Sequence, residues 1–121
     1  MFLKEAIANL ILKFKHAISG VIAGFAHDRS LRVHYTIALV AILVFAYLNI
    51  TVMEWLVVIL GIALVISLEY INSSIELLCD HVQAEFHETI KKIKDFGAAA
   101  VLIASLMVGV IGILIALQYV G

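Results

Sequence analysis

Glu69, Asn72, Ser73, Glu76 and Asp80 recur at intervals of one to four residues inside a stretch that is otherwise strongly apolar. At 3.6 residues per turn they share one narrow sector of a helix and form a polar stripe in which three members are acidic. Lipid cannot be what such a stripe faces, because an ionisable group near the bilayer centre is costly unless it meets a partner, a cation or a water-filled cleft. A seam that only glues helices together is the plainer reading, but five polar positions in register exceed what glue requires. With Asp28 before the stripe and Lys94 after it, the inventory suits phosphoryl transfer. That reaction needs a divalent cation on hard carboxylates, a positive group on the phosphates and a base beside the attacking hydroxyl. Asp28 and Glu76 fill the first role, Lys94 the second and Glu69 the third. No Gly-x-x-x-x-Gly-Lys-Ser/Thr loop and no protein-kinase signature accompanies them.

The elements that must position these groups follow from composition. The chain has 121 residues, 64% of them hydrophobic, and no proline; with a mean hydropathy of +1.15 it reads as a small all-α integral membrane protein in one domain, residues 1–121. The net charge of −1 offers nothing to a nucleic acid. Lys4, Lys13, Lys15, Arg29 and Arg32 precede the first apolar span, and Lys91, Lys92 and Lys94 lie between the second and third. The positive-inside rule then places the N-terminus and the 80–95 connection in the cytoplasm, and the loop around Asn49–Glu54 and the C-terminus outside a bacterial cytoplasmic membrane. Residues 1–27 lack a signal-peptide layout. Cys79 is a lone, small packing residue, and the five histidines form no compact ligand motif for haem or a transition metal.

Residues 1–27 carry Ile7, Leu10, Ile11, Phe14, Ile18, Val21, Ile22 and Phe25 at helical spacing, with Lys4, Lys13 and His16 outside that set. This predicts an amphipathic helix lying in the cytoplasmic interface, and Gly20-x-x-x-Gly24 would let another helix approach closely. Transmembrane helices are expected over 33–48, 53–79 and 96–120, with Trp55 an interfacial anchor. On the third, Ser105, Gly109, Gly112 and Ala116 make a small-residue face suited to close packing. The polar 81–95 connection reads as solvated and helix-compatible. Glu69 and Glu76 lie about 10 Å apart along the second span, with Glu69 the deeper. Three spans and one surface helix enclose little space, so a cleft would be completed by neighbouring subunits.

Glu69-x-x-Asn72-Ser73-Ser74-Ile75-Glu76-x-x-x-Asp80, then Glu85-Phe86-His87 and Lys94-Asp95-x-x-Ala98-x-Ala100-Val101, resemble the prokaryotic integral-membrane diacylglycerol kinase and undecaprenol kinase family over nearly the whole chain. The resemblance implies a homotrimer of three-span subunits, each with an N-terminal surface helix, that uses Mg2+ and ATP to phosphorylate a lipid alcohol at the cytoplasmic interface. It implies Glu69 as general base, Asn72 as an orienting amide, and Glu76 as the metal carboxylate that bridges to ATP. Glu85 and His87 match nucleotide contacts, and Lys94 with Asp95 matches the pair that engages phosphate. Asp28 stands where the family's second metal-binding acid is usually glutamate, one methylene longer. Asn9 and His16 fall where some members place a basic and an aromatic ATP contact; Lys13 or Lys15 could substitute. Arg32-Val33-His34 and Met53-Glu54-Trp55-Leu56 resemble the undecaprenol branch more than the diacylglycerol branch, so undecaprenol is the favoured substrate and diacylglycerol the alternative. A reading of another class is a membrane adaptor or ion-conducting oligomer, in which Lys94 beside the stripe would have no evident use.

Overall fold

The computed structural model describes all residues, Met1 to Gly121, as four helices: α1 (Phe2–His27), α2 (Arg29–Leu48), α3 (Val52–Val82) and α4 (Glu88–Leu117). The break between α1 and α2 is a single residue. Asp28 leaves helical geometry (φ −109°, ψ 114°), yet its amide still donates to the Gly24 carbonyl at 3.0 Å. Its own carboxylate accepts the Leu31 amide at 3.0 Å, capping α2. The helix that carries the expected 33–48 span thus begins at Arg29. It ends at Asn49, whose left-handed conformation (φ 53°) suits a short polar side chain.

A reciprocal capping box starts α3: the Glu54 amide donates to Thr51 Oγ1 at 3.2 Å and the Thr51 amide to Glu54 Oε1 at 3.0 Å. The helix then runs 31 residues, about 46 Å, longer than the roughly 30 Å hydrocarbon core. It is therefore longer than a perpendicular crossing of such a layer requires. His87 caps α4 by accepting the Thr89 amide on Nδ1 at 3.2 Å, and Lys91–Asp95 occupies the opening turns of that helix rather than a separate connection.

Helices α3 and α4 form the most extensive pairing, whereas α1 is joined sparsely and buries no residue. Two glycines permit the α3–α4 approach. A Cβ on Gly61 would stand 2.8 Å from Val108 Cγ1, and one on Gly97 would run into Asn72 Oδ1. At the other end of the bundle Phe45, Ile50, Val58 and Ile115 form a core cluster, with Trp55 and Tyr119 packed on it, and the Tyr119 hydroxyl donates to Glu54. Trp55, expected as an interfacial anchor, packs against this cluster. Only 12 of 121 residues are buried, which leaves the apolar flanks of every helix to a nonaqueous surrounding. All four helices are long and apolar enough to cross a membrane, so helix length and composition give four candidate spans where the sequence reading expects three.

The small-residue face of α4 does something other than the expected close packing. Ser105, Gly109, Gly112 and Ala116 line an apolar cavity of about 480 Å³ between α2, α3 and α4. A Cβ on Gly109 would meet nothing within 4 Å, and one on Gly112 would meet Phe45 only at 3.6 Å. The small side chains keep space open instead of bringing backbones together.

Candidate active site

Helix α3 holds the stripe as its period dictates. Glu69 and Asn72 are 5% and 6% exposed, and Ser73 is buried with them, while Glu76 and Asp80 are exposed. The stripe therefore grades from a dry end at Glu69 to a wet end at Asp80. Asn72 sits between the two inner carboxylates: its Nδ2 donates to Glu76 Oε1 at 3.2 Å and lies within reach of Glu69. Asn72 Oδ1 is buried without a partner and pressed against Gly97. Packing from α4 thus holds the amide with its donors turned towards the carboxylates.

Helix α2 supplies the opposing groups. His34 Nε2 lies 3.5 Å from Glu69 Oε2, an ion pair whenever the imidazole carries a proton. Asp28 faces Ser73, and the charges of His34, Asp28 and Glu76 all act on Glu69. Partial burial pushes the Asp28 carboxyl up, but hydrogen bonds from the Ser73 hydroxyl and the Leu31 and Ser30 amides, with the positive Arg32, outweigh it and hold the group below its usual range. Asp28 is an anion at neutral pH, stationed opposite the stripe.

Lys94 reaches the stripe's wet end from α4, its Nζ 2.5 Å from Asp80 Oδ1. The Asp80 hydrogen bond holds the ammonium above the ordinary lysine range, so the positive charge persists, and Glu76 lies near enough to act on it. Asp95 points elsewhere and pairs with Lys91 at 2.7 Å. Adjacent helical residues lie about 100° apart, so Lys94 and Asp95 cannot both face α3. Glu85 is exposed in the short segment before α4, with His87 at that helix's cap. His16 is exposed on α1 and joins no ion pair. One chain therefore gathers Asp28, Glu69, Asn72, Glu76 and Lys94, and leaves His16, Glu85, His87 and Asp95 outside that group.

Two further features escape the sequence reading. His34 is one, although its place in the charged run before the first span was a signal. The other is the cavity, which starts at His34 and continues along α2 to Phe45, a run of about 16 Å. Of its 19 lining residues only His34 and Ser105 carry polar side chains. An apolar trough thus ends beside the deepest carboxylate of a polar stripe.

The donor set suits Mg2+. Within one chain no group of three or more His, Cys, Asp or Glu side chains that could hold a metal ion is assembled. Mg2+ characteristically takes one or two carboxylates and completes its shell with water and substrate phosphates, and Asp28 and Glu76 are hard oxygen donors of that kind.

Comparison with known proteins shows the family. The family model described as prokaryotic diacylglycerol kinase matches residues 15–116, a range that contains Asp28, the α3 stripe and Lys94. The diacylglycerol kinase of Haemophilus influenzae is 31% identical over 111 residues, 92% of this chain and 94% of that protein. The diacylglycerol kinase of Escherichia coli is 32% identical over 85 residues, 70% of each. The undecaprenol kinase of Bacillus subtilis is 29% identical over 112 residues, 93% of this chain and 91% of that protein. The chain belongs to the prokaryotic diacylglycerol kinase family and is a lipid kinase.

Proposed function

We propose that the protein transfers the γ-phosphoryl group of ATP, with Mg2+, to the hydroxyl of a membrane lipid alcohol at the cytoplasmic face, and that this alcohol is undecaprenol, giving undecaprenyl phosphate. The observation that carries the reading is the meeting of the apolar cavity with the Glu69 end of the stripe at His34. A lipid lying in the trough would present its hydroxyl there, while nucleotide arrives at the wet end near Lys94. Undecaprenol carries a hydroxyl on a bare hydrocarbon chain. Diacylglycerol brings two ester groups whose carbonyls seek donors, and the trough offers only His34 and Ser105. The diacylglycerol reading keeps its own support in the names of the relatives.

In this mechanism Glu69 accepts the proton as the lipid O–H bond breaks, the lipid oxygen forms its bond to the γ-phosphorus, and the bond to ADP breaks. Asn72 fixes the Glu76 carboxylate. Lys94 places its ammonium against the phosphates, where it stabilises charge that grows during transfer. Asp28 and Glu76 hold the cation, whose chemistry when bound is neutralisation of phosphate charge. Glu85, His87, Asp95 and His16 are assigned to the nucleotide on the strength of the sequence resemblance.

The site is open in a single chain, which supports a homotrimer in which neighbouring subunits complete the cleft. Helix α1 lies in the cytoplasmic interface in this reading, because its apolar residues recur at helical spacing while Lys4, Lys13 and His16 fall outside that set. The remaining helices span the membrane, with the N-terminus cytoplasmic and the C-terminus outside. Detergent-solubilised protein given Mg2+ and ATP, and offered undecaprenol and diacylglycerol in parallel, tests the proposal. Faster formation of undecaprenyl phosphate is expected. A preference for diacylglycerol reverses the substrate assignment, and phosphorylation of neither lipid refutes the functional one.

A further inference from the structure

Tyr70, next to Glu69, takes no part in the mechanism above, yet it joins three helices. Its hydroxyl donates to the Val21 carbonyl of α1 at 2.9 Å and lies 2.8 Å from the Tyr35 hydroxyl of α2. A helical carbonyl has two lone pairs, so Val21 can accept this bond beside its intrahelical one. The Tyr35 ring stands edge-on to Phe25 of α1, with centroids 5.6 Å apart, and to Tyr70 at 6.4 Å. Gly24 makes the arrangement possible, since a Cβ there would collide with the far end of the Tyr70 ring. Arg32 Nη1 donates to the Ala26 carbonyl at 2.9 Å, so the end of α1 is tied at two carbonyls just before Asp28. No other side-chain hydrogen bond joins α1 to α3.

The geometry points to Tyr70, seated by Gly24 and braced by Tyr35, as a positioning residue that latches α1 to α3 and so sets Asp28 against the Glu69–Glu76 stripe. This rests on the proposed metal role of Asp28. An aspartate has a short reach, so the backbone of the α1–α2 break must be brought close to α3 for its carboxylate to act with Glu76. Otherwise α1 packs too sparsely to fix that distance. The two tyrosine hydroxyls satisfy each other and the Val21 carbonyl, which gives the latch one preferred geometry.

The test compares wild-type protein, Tyr70→Phe and Gly24→Ala in lipid nanodiscs by amide hydrogen exchange, by Mg2+ titration of ATP binding, and by turnover. Tyr70→Phe keeps the ring and removes the hydroxyl; exchange over residues 14–27 should rise about tenfold while α3 and α4 are unchanged. The Mg2+ concentration for half-maximal ATP binding should rise about three- to tenfold, with most of kcat recovered at saturating Mg2+. Gly24→Ala gives a test of sign. Alanine is the better helix former and would slow exchange in α1 if local helicity governed it, but by displacing the Tyr70 ring it should speed exchange and shift the Mg2+ titration the same way as Tyr70→Phe. Unchanged exchange in Tyr70→Phe, slower exchange in Gly24→Ala, or a loosened α1 with an unmoved Mg2+ titration would each overturn the latch. Wild-type ATP binding that ignores Mg2+ would instead overturn the metal role of Asp28, and with it the purpose assigned to the latch.

Discussion

Replacing Gly97 by alanine should damage catalysis through Asn72, a residue on another helix. The added Cβ would overlap Asn72 Oδ1 and stand 3.5 Å from its Cγ and 3.7 Å from Ile75 Cδ1. Asn72 has little room to retreat, being 6% exposed and tied to Glu76 at 3.2 Å. Overpacking of this kind costs about 1–3 kcal/mol, against a gain of up to about 1 kcal/mol from exchanging glycine for alanine in a helix. Stability should therefore fall by no more than about 3 kcal/mol. Turnover should fall further than stability does. A hydrogen bond to a charged group is worth about 1.5–3 kcal/mol, so loss of the Asn72–Glu76 bond predicts a roughly ten- to hundredfold drop in rate. Gly20→Ala is the matched control, because a Cβ there meets nothing within 4 Å; it should leave turnover unchanged. Thermal unfolding and lipid phosphorylation measured on the same preparations decide the matter. Wild-type turnover in folded Gly97→Ala would refute the claim that α4 fixes the orientation of Asn72.

Other substitutions separate the roles assigned to the charged groups. Glu76→Gln keeps size and removes the charge a hard cation needs, so it should abolish turnover mainly by loss of Mg2+-dependent ATP binding, and Asp28→Asn should act in the same direction less severely; near-normal activity of Glu76→Gln at limiting Mg2+ would contradict the metal assignment. Lys94→Ala should slow phosphorylation at every lipid concentration, and an unchanged rate with correct membrane orientation would reduce Lys94 to a topological marker. Glu69→Gln should leave Mg2+-ATP binding largely intact while turnover falls by orders of magnitude, since only proton acceptance is lost; equal losses in binding and turnover would return Glu69 to the metal site or to structure.

Much of this arrangement was legible because helices impose a period. The stripe at Glu69, Asn72, Ser73, Glu76 and Asp80 occupies one face of α3 in the structure as the spacing required, and that helix begins at Val52, one residue before the expected start. What was not legible depends on contacts between helices. Asp28 serves as the cap of two helices at once, and nothing in a charged run shows that a chain will break for a single residue. The small residues of α4 could have served contact or space; Phe45 and its neighbours decide for space over Gly109 and Gly112, while Gly61 and Gly97 take the close approaches. Lys94 and Asp95 adjoin in sequence but separate on the helix, one turning to Asp80 and the other to Lys91. His34 acquires its meaning only from Glu69 opposite.

These contacts also set the dry end of the stripe apart from the wet end. Asp80 has Lys94 and Glu76 has Asn72, whereas Glu69, the most buried of the three acids, shares the Asn72 amide, faces an imidazole at 3.5 Å and stands at the head of an apolar trough. A carboxylate placed there for structure alone would be better replaced by an apolar side chain, because burying one without full pairing is costly. Its position becomes reasonable if the missing partner is the hydroxyl of a lipid, which arrives along the trough and carries the proton that a phosphoryl acceptor must lose. On that account the apolar lining and the buried acid are parts of one device: the lining selects molecules whose polar end is small, and the acid acts on the one polar atom that reaches it.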